Sequence, residues 1–301
     1  MKMLSRLYAW HLLDRGQRIV DGILRRPQPK RMRADCESLL KAVYGESEPG
    51  LSYRERLRQR EIGLYSQNGE DGLLLYLFSQ IGTTNKTLVE FGVESGRECN
   101  AANLLLHFGW NGLLMDGSEE NMASGRRWYE AQGLEHIDRI TLKQCFVTTE
   151  NINGVISDSG ISGEIDLLSI DIDGNDYWLW DAIEVINSRV VVVEYNSVFG
   201  PSRSMTVCYD PAFTRFSKHR SGWYHGASLS ALAKLGERKG YALVGADSMG
   251  CNAFFVRQDV LRGDLDTMTP EEAFYAQPKR VRIAPQEQQF EMIRHLPFDE
   301  V

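Results

Sequence analysis

The chain lacks a cysteine pair at metal-ligand spacing, a G-x-G-x-x-G turn and any long apolar run. Its five cysteines (Cys36, Cys99, Cys145, Cys208 and Cys251) are odd in number and scattered, which excludes a disulfide framework and a zinc-ribbon site. No apolar stretch approaches the roughly 18–20 residues that a membrane-crossing helix needs. An unbroken signal core is also missing, because Arg6, His11 and Asp14 interrupt the N-terminal stretch. The compartment expected from these absences is a reducing cytoplasm.

What is present describes a folded chain that can bury a sizeable core: 301 residues, 43% hydrophobic and 25% charged. Charge is uneven. Residues 1–33 carry nine Lys or Arg against Asp14 and Asp21, whereas the whole chain has a net charge of −7. The acidic body argues against nucleic acid as a partner. In the basic head, Leu4, Leu7, Tyr8, Leu12, Ile19 and Ile23 recur at mostly helical spacing, ended by Pro27 and Pro29. Two readings of residues 1–33 stay open: peripheral contact with the inner face of a membrane, and packing on the body or on a second copy in a homo-oligomer.

The expected organisation is a helical, basic extension (1–61), a catalytic domain (62–259) with a lid or substrate insertion (197–224), and a polar C-terminal tail (260–301). Further helices are expected at 35–44 and 51–61. From about residue 65, β-rich runs alternate with helical ones. The strand candidates are Thr87–Gly92, Gly112–Asp116, Ile140–Val147, Ile165–Ile172, Val190–Asn196, Tyr241–Ala246 and Ala253–Arg257. Helices are expected between them at 70–80, 98–108, 119–132, 176–187 and 227–239. Continuous apolar runs mark strands covered on both faces, and strict alternation with helices implies parallel crossovers. Only six residues separate the last two strands, so these form a hairpin. The fold class is therefore α/β: a doubly wound, Rossmann-like, mostly parallel sheet of about seven strands ending in an antiparallel hairpin.

In such sheets ligands bind beyond the carboxyl ends of the strands. The first strand runs into Glu90-Phe91-Gly92-Val93-Glu94-Ser95-Gly96, whose glycines permit a tight turn and close approach to a ligand. Glu90 and Glu94 would repel a pyrophosphate, so a nicotinamide dehydrogenase ranks low and a cationic ligand is favoured. Asp116, ending the second strand about 20 residues on, is placed to accept hydrogen bonds from a ribose diol.

These features resemble S-adenosylmethionine-dependent methyltransferases, and more narrowly the FkbM-like family. The resemblance covers about residues 62–257 and is carried by Tyr65-Ser66-Gln67-Asn68-Gly69-Glu70-Asp71 and the Glu90–Gly96 loop. It continues through Gly112–Asp116, Ile165-Asp166-Leu167-Leu168-Ser169-Ile170-Asp171-Ile172-Asp173-Gly174 and Val193-Glu194-Tyr195-Asn196. It implies that Glu90, Gly92 and Gly96 line the methionine moiety of the cofactor, that Asp116 holds its ribose, that Gln67 closes over it and that Phe146 packs on its adenine. Two positions depart from the family pattern, with Ser169 in place of a lysine and Asp173 in place of a glutamate.

Asp171 and Asp173 are two apart, and Glu194 and Asn196 repeat that spacing on the neighbouring strand. In extended backbone this gathers three carboxylates and an amide in one crevice. Such charges cannot all stay ionised unaided. The sequence leaves three solutions open: a divalent cation such as Mg2+ held by Asp171, Asp173, Glu194 and Asn196; a raised pKa that makes one carboxylate a base; or a helix cap formed by Asp173. His225 opens a later helix on the same face, so Asp171 or His225 is expected to accept a proton, with Glu194 beside them. The function these features favour is O-methylation of a hydroxyl on a sugar, glycan or related natural product. Alternatives are a metal-dependent glycosyltransferase using Asp171-Ile172-Asp173, and a non-catalytic, membrane-associated partner in glycan assembly.

Overall fold

A computed structural model of the chain describes residues 50–133 and 138–301. The helices expected at 4–24 and 35–44, and the basic head of residues 1–33, lie outside these described residues.

Seven strands form one sheet: β1 (Thr87–Phe91), β2 (Asn111–Asp116), β3 (Ile140–Gln144), β4 (Gly163–Ile170), β5 (Ile186–Glu194), β7 (Tyr241–Ala246) and β8 (Asn252–Arg257). A short β6 (Met205–Val207) pairs antiparallel with β9 (Phe298–Glu300) in a separate two-stranded sheet. The large sheet has the order β3-β2-β1-β4-β5-β8-β7. β1 to β5 pair in parallel and β8 runs against both of its neighbours. This is the Rossmann-like methyltransferase arrangement, with the expected terminal hairpin.

Successive side chains on a strand point to opposite faces, and here each face is roofed by helices. Leu88, Leu114, Leu167 and Val192 pack with α2 (Glu70–Ile81), α3 (Ala102–His107) and α4 (Glu119–Gln132). Val89, Phe91, Leu168, Val191 and Val193 pack on the other face with α5 (Ile152–Asp158), α6 (Asp176–Ala182) and α8 (Leu229–Arg238). A charged helix, α1 (Tyr53–Gln59), precedes them and starts at a capping box between Ser52 and Glu55. Helix α5 has no counterpart among the sequence expectations.

The strand ends differ from the expected ones in a way that matters. β4 stops at Ile170 and β5 at Glu194, each two residues short of the sequence expectation. Asp171 to Asp173 therefore form a turn, with Asp173 at φ +56°, and the two-residue spacing does not by itself align their side chains.

The segment 197–224 contributes β6 and α7 (Arg215–Lys218). The segment 260–301 folds back as α9 (Pro270–Ala273), α10 (Pro278–Val281), α11 (Gln286–Gln289) and β9. The two share a small core in which Val207, Phe213, Trp223 and Tyr224 meet Ala284 and Ile293.

Candidate functional site

A cavity of about 390 Å³ opens at the carboxyl ends of β1, β4 and β5, lined among others by Gln67, Glu90, Gly92, Asp116, Asp171 and Glu194. A second cavity of about 140 Å³ adjoins it, sharing Gly92, Asp116 and Ile172 and walled by Cys145, Phe146 and Phe213.

The S-Q-N-G-E-D stretch builds one lip. The Asp71 carboxylate accepts the backbone N–H groups of Leu64 (2.7 Å), Tyr65 (2.7 Å) and Ser66 (2.9 Å), while Ser66 Oγ accepts from Asp71 N at 3.0 Å. This reciprocal cap holds the loop at the start of α2. Glu70 ties the same loop to β8 by accepting from Asn68 N and Asn252 Nδ2, both at 2.8 Å. Gln67 stands exposed at the lip.

Glu90 is buried and turned toward α3. It accepts from Asn100 N (3.0 Å), Ala101 N (2.8 Å) and Ser169 Oγ (3.1 Å). Burial pushes its carboxyl up to about 7, against the lowering effect of these hydrogen bonds. Ser169 joins Glu90 to Asn100 Nδ2 (3.1 Å). Gly96 is absent from the cavity wall: it packs on Leu114 and Tyr129, whose hydroxyl donates to the Gly96 carbonyl at 2.7 Å. The expectation that Gly96 lines the ligand is corrected to a turn position at φ +68°.

Asp116 lies where both cavities meet. Its carboxylate accepts from Glu94 N (2.9 Å), Ser118 N (2.8 Å) and Asn121 Nδ2 (3.1 Å), which fixes the loop after β1 against the start of α4. Phe146 lines the smaller cavity and is 51% exposed. An aromatic face with so little covering it is available to a planar ligand.

The acidic crevice is assembled differently from the sequence expectation. Asn196 does not face the cavity. Its amide donates to the carbonyls of Trp223 (2.7 Å) and His225 (2.8 Å), and its oxygen accepts from Val198 N and from Arg280 of α10. Asp173 is exposed and paired with Arg215 of α7. His225 is fully buried, with Nε2 2.9 Å from Arg280 Nη2 and Nδ1 3.3 Å from Glu194 Oε2. Both its nitrogens face protein groups, so His225 is not placed to receive a substrate proton, and the sequence expectation on that point is corrected.

Asp176, which the sequence reading missed, is buried and accepts from Ile172 N (2.8 Å) and Gly174 N (2.9 Å), closing the turn after β4.

Charge in the crevice is balanced from within. Burial raises Asp171 well above the usual carboxylate range, reinforced by Glu194, Asp176, Asp173 and Glu90. Burial likewise pushes Asp176 up to about 7. For Glu194 burial works in the same sense, but His225, Arg215 and Arg280 outweigh it and hold the carboxyl below its ordinary value. Burial pushes His225 down, favouring the neutral imidazole.

Of the donor set expected for Mg2+, Asp171, Asp173 and Glu194 line the cavity while Asn196 is turned away. Asp173, Glu194 and His225 place ligand atoms within 4.8 Å of one another, although Asp173 is paired with Arg215. Ligand atoms of Asp171, Asp176 and Glu194 do lie within 4.8 Å of one another. However, Asp176 is occupied by backbone amides, and two guanidinium groups already act on Glu194. The positive charge that a divalent cation would bring to Glu194 is already supplied by Arg215 and Arg280.

No family model matches the chain, and no curated protein matches it. Among solved structures it is similar to the N-terminal domain of EvdMO1 with SAH bound (TM-score 0.41, 13% identity, 75% of this chain and 96% of that one). It is also similar to an O-methyltransferase from Bacillus cereus in complex with SAH (TM-score 0.38, 15% identity, 75% and 90%). Its match to StiE O-MT residues 961–1257 spans 53% of this chain and 47% of that one (TM-score 0.33, 12% identity). These likenesses are remote, and the fold assignment rests on the strand order.

Proposed function

We propose that the chain is an S-adenosylmethionine-dependent O-methyltransferase of FkbM-like type, acting on a hydroxyl of a sugar, glycan or related natural product. The observation that carries this reading is the pair of cavities meeting at Gly92 and Asp116. One offers an exposed aromatic face at Phe146 for an adenine, the other a carboxyl at Asp171 without a hydrogen-bond donor among the described residues. Asp116 between them suits a ribose diol. S-adenosylmethionine supplies a methyl group on a cationic sulfur, already a good electrophile. The protein's task is to align a hydroxyl and take its proton.

In this reading Asp171, whose carboxyl lines the large cavity and accepts from no donor among the described residues, receives the proton. The acid-rich wall favours a cation, while Asn68, Asn252, Gln277 and Lys279 supply polar groups suited to an acceptor rich in hydroxyls. Residues 62–259 would form the catalytic domain, with 197–224 and the C-terminal segment on the acceptor side. We retain a cytoplasmic location as part of the proposal. Among the described residues no helix is long and apolar enough to cross a membrane.

Calorimetric titration with S-adenosylhomocysteine tests the reading directly. Binding is expected; its absence in the wild-type chain, with thermal protection by a nucleotide sugar plus Mn2+ instead, would transfer the assignment to a glycosyltransferase.

A further inference from the structure

The C-terminal segment reaches into the floor of the acidic crevice. Lys279 of α10 lines the large cavity, and the next residue, Arg280, turns inward and is 4% exposed. Its guanidinium donates to Asn196 Oδ1 and lies 2.9 Å from His225 Nε2. A guanidinium has only donors to offer, so Nε2 must be the acceptor, and a neutral imidazole then carries its proton on Nδ1. That N–H faces Glu194 Oε2 at 3.3 Å. Asn196 and His225 are 1% and 0% exposed, so the contacts that Arg280 makes are shielded from water, and Glu194 is the end of the chain that reaches the cavity wall.

The carboxyls around it are committed one by one. Asp173 is held by Arg215. Asp176 is held by the amides of Ile172 and Gly174, and Glu194 Oε2 stands 3.3 Å from His225 Nδ1 without a formed hydrogen bond. Among the described residues, Asp171 is the carboxyl of this crevice with neither a hydrogen-bond donor nor a cationic or imidazole group within 4 Å of it, whereas Glu194, also without a donor, has His225 beside it.

We propose that Arg280 is a positioning residue for the transfer described above: by fixing His225 as the Nδ1–H tautomer it turns a donor toward Glu194, leaving Asp171 to take the acceptor's proton. The inference rests on the methyltransfer reading. In the step it serves, the hydroxyl proton passes to Asp171 and the hydroxyl oxygen bonds the methyl carbon. The S–CH3 bond breaks with its electron pair returning to sulfur, which leaves as a neutral thioether. Its origin in the C-terminal segment makes the crevice dependent on residues more than 50 positions beyond His225 in the chain.

The test is nitrogen-15 correlation spectroscopy of the full-length, histidine-labelled protein at neutral pH, with His225→Gln to assign the signals. His225 is expected to show a protonated Nδ1 and a bare Nε2. In Arg280→Met the Nε2–H or doubly protonated form should appear, and Arg280→Lys, which keeps a donor, should restore the wild-type pattern. A wild-type His225 protonated on Nε2 overturns the proposal even if the methionine variant does not fold. So does a tautomer unchanged in Arg280→Met. Titration of the wild type with S-adenosylhomocysteine separates the two levels. If it binds while the tautomer is wrong, only the assignment of Arg280 falls. If it does not bind, the transfer reading falls and takes the role of Arg280 in it as well.

Discussion

The carbonyl oxygen of Asp171 occupies the space that a side chain at Gly92 would need: a Cβ there would stand 1.6 Å from it. Gly92 is also at φ +72°, a conformation that L side chains rarely adopt. The turns after β1 and β4 therefore touch backbone to backbone, and this contact forms the ridge between the two cavities. Gly92→Ala should destabilise the fold by at least about 3 kcal/mol or prevent folding. Urea unfolding monitored by circular dichroism checks this, and a variant of wild-type stability would contradict the geometry.

Asp116 and Asp171 should separate binding from chemistry. Asp116→Ala is expected to weaken S-adenosylhomocysteine binding roughly 10-fold or more, the scale of a lost charge-assisted hydrogen bond. Asp171→Asn should lower methyl transfer on the order of 10²–10⁴-fold, the usual range for losing a general base. Its affinity for S-adenosylhomocysteine should stay within a few-fold of the wild type. Calorimetry and transfer of a radiolabelled methyl group measure the two effects.

Phe146 offers a check that stability does not confuse. Its ring is half exposed, so Phe146→Ala should leave the unfolding midpoint nearly unchanged. Loss of stacking worth about 0.5–1.5 kcal/mol predicts weaker S-adenosylhomocysteine binding by roughly 2- to 12-fold. Unchanged affinity would remove Phe146 from the adenine site.

Stability should fall as pH rises toward 8. Asp247 is fully buried, accepts from Met249 N (2.9 Å) and Cys251 N (3.3 Å), and is pushed up to about 8 by burial and by Glu70. The unfolded carboxyl titrates near 4 (about 3.9 for a model aspartate). Between these values the folded state holds a proton that the unfolded state has released. The stabilisation is complete below the unfolded value and is lost as pH rises through the folded one, at about 1.4 kcal/mol per pH unit for this group. Denaturant titrations from pH 5 to 8 should show the decline, and Asp247→Asn should flatten it in part. Glu90 and Asp176, both pushed up to about 7, would supply a remaining slope.

The sheet was legible because its strands are covered on both faces. The runs Leu167–Ile170, interrupted only by Ser169, and Val190–Val193, apolar throughout, need no partner to announce themselves, and α4 matched its expected bounds of 119–132. Strand ends were less legible, since a tertiary contact sets where β4 stops: Asp171 turns away to meet Gly92. The crevice was legible in its acids and illegible in its cations. Asp171 and Glu194 lie in apolar strand contexts that mark them as strand ends. Arg215 and Arg280 lie in polar segments where an arginine is ordinarily a surface residue. Only the folding of 197–224 and 260–301 onto the body brings them against Glu194, and no local pattern encodes that. Asp176 was hidden by its position at a helix start, where an acid is unremarkable.

The pairing of β6 with β9 gives the crevice an unusual vulnerability. Phe298 packs edge-to-face against Phe199 and Tyr224, and the carbonyl of Val301 accepts from Lys234 Nζ at 2.9 Å. Unzipping that ribbon would loosen the insertion and the C-terminal segment together, withdrawing both guanidinium groups from Glu194 in one event. Damage to β9 would then register as a change in the electrostatics of the crevice, even with the main sheet untouched.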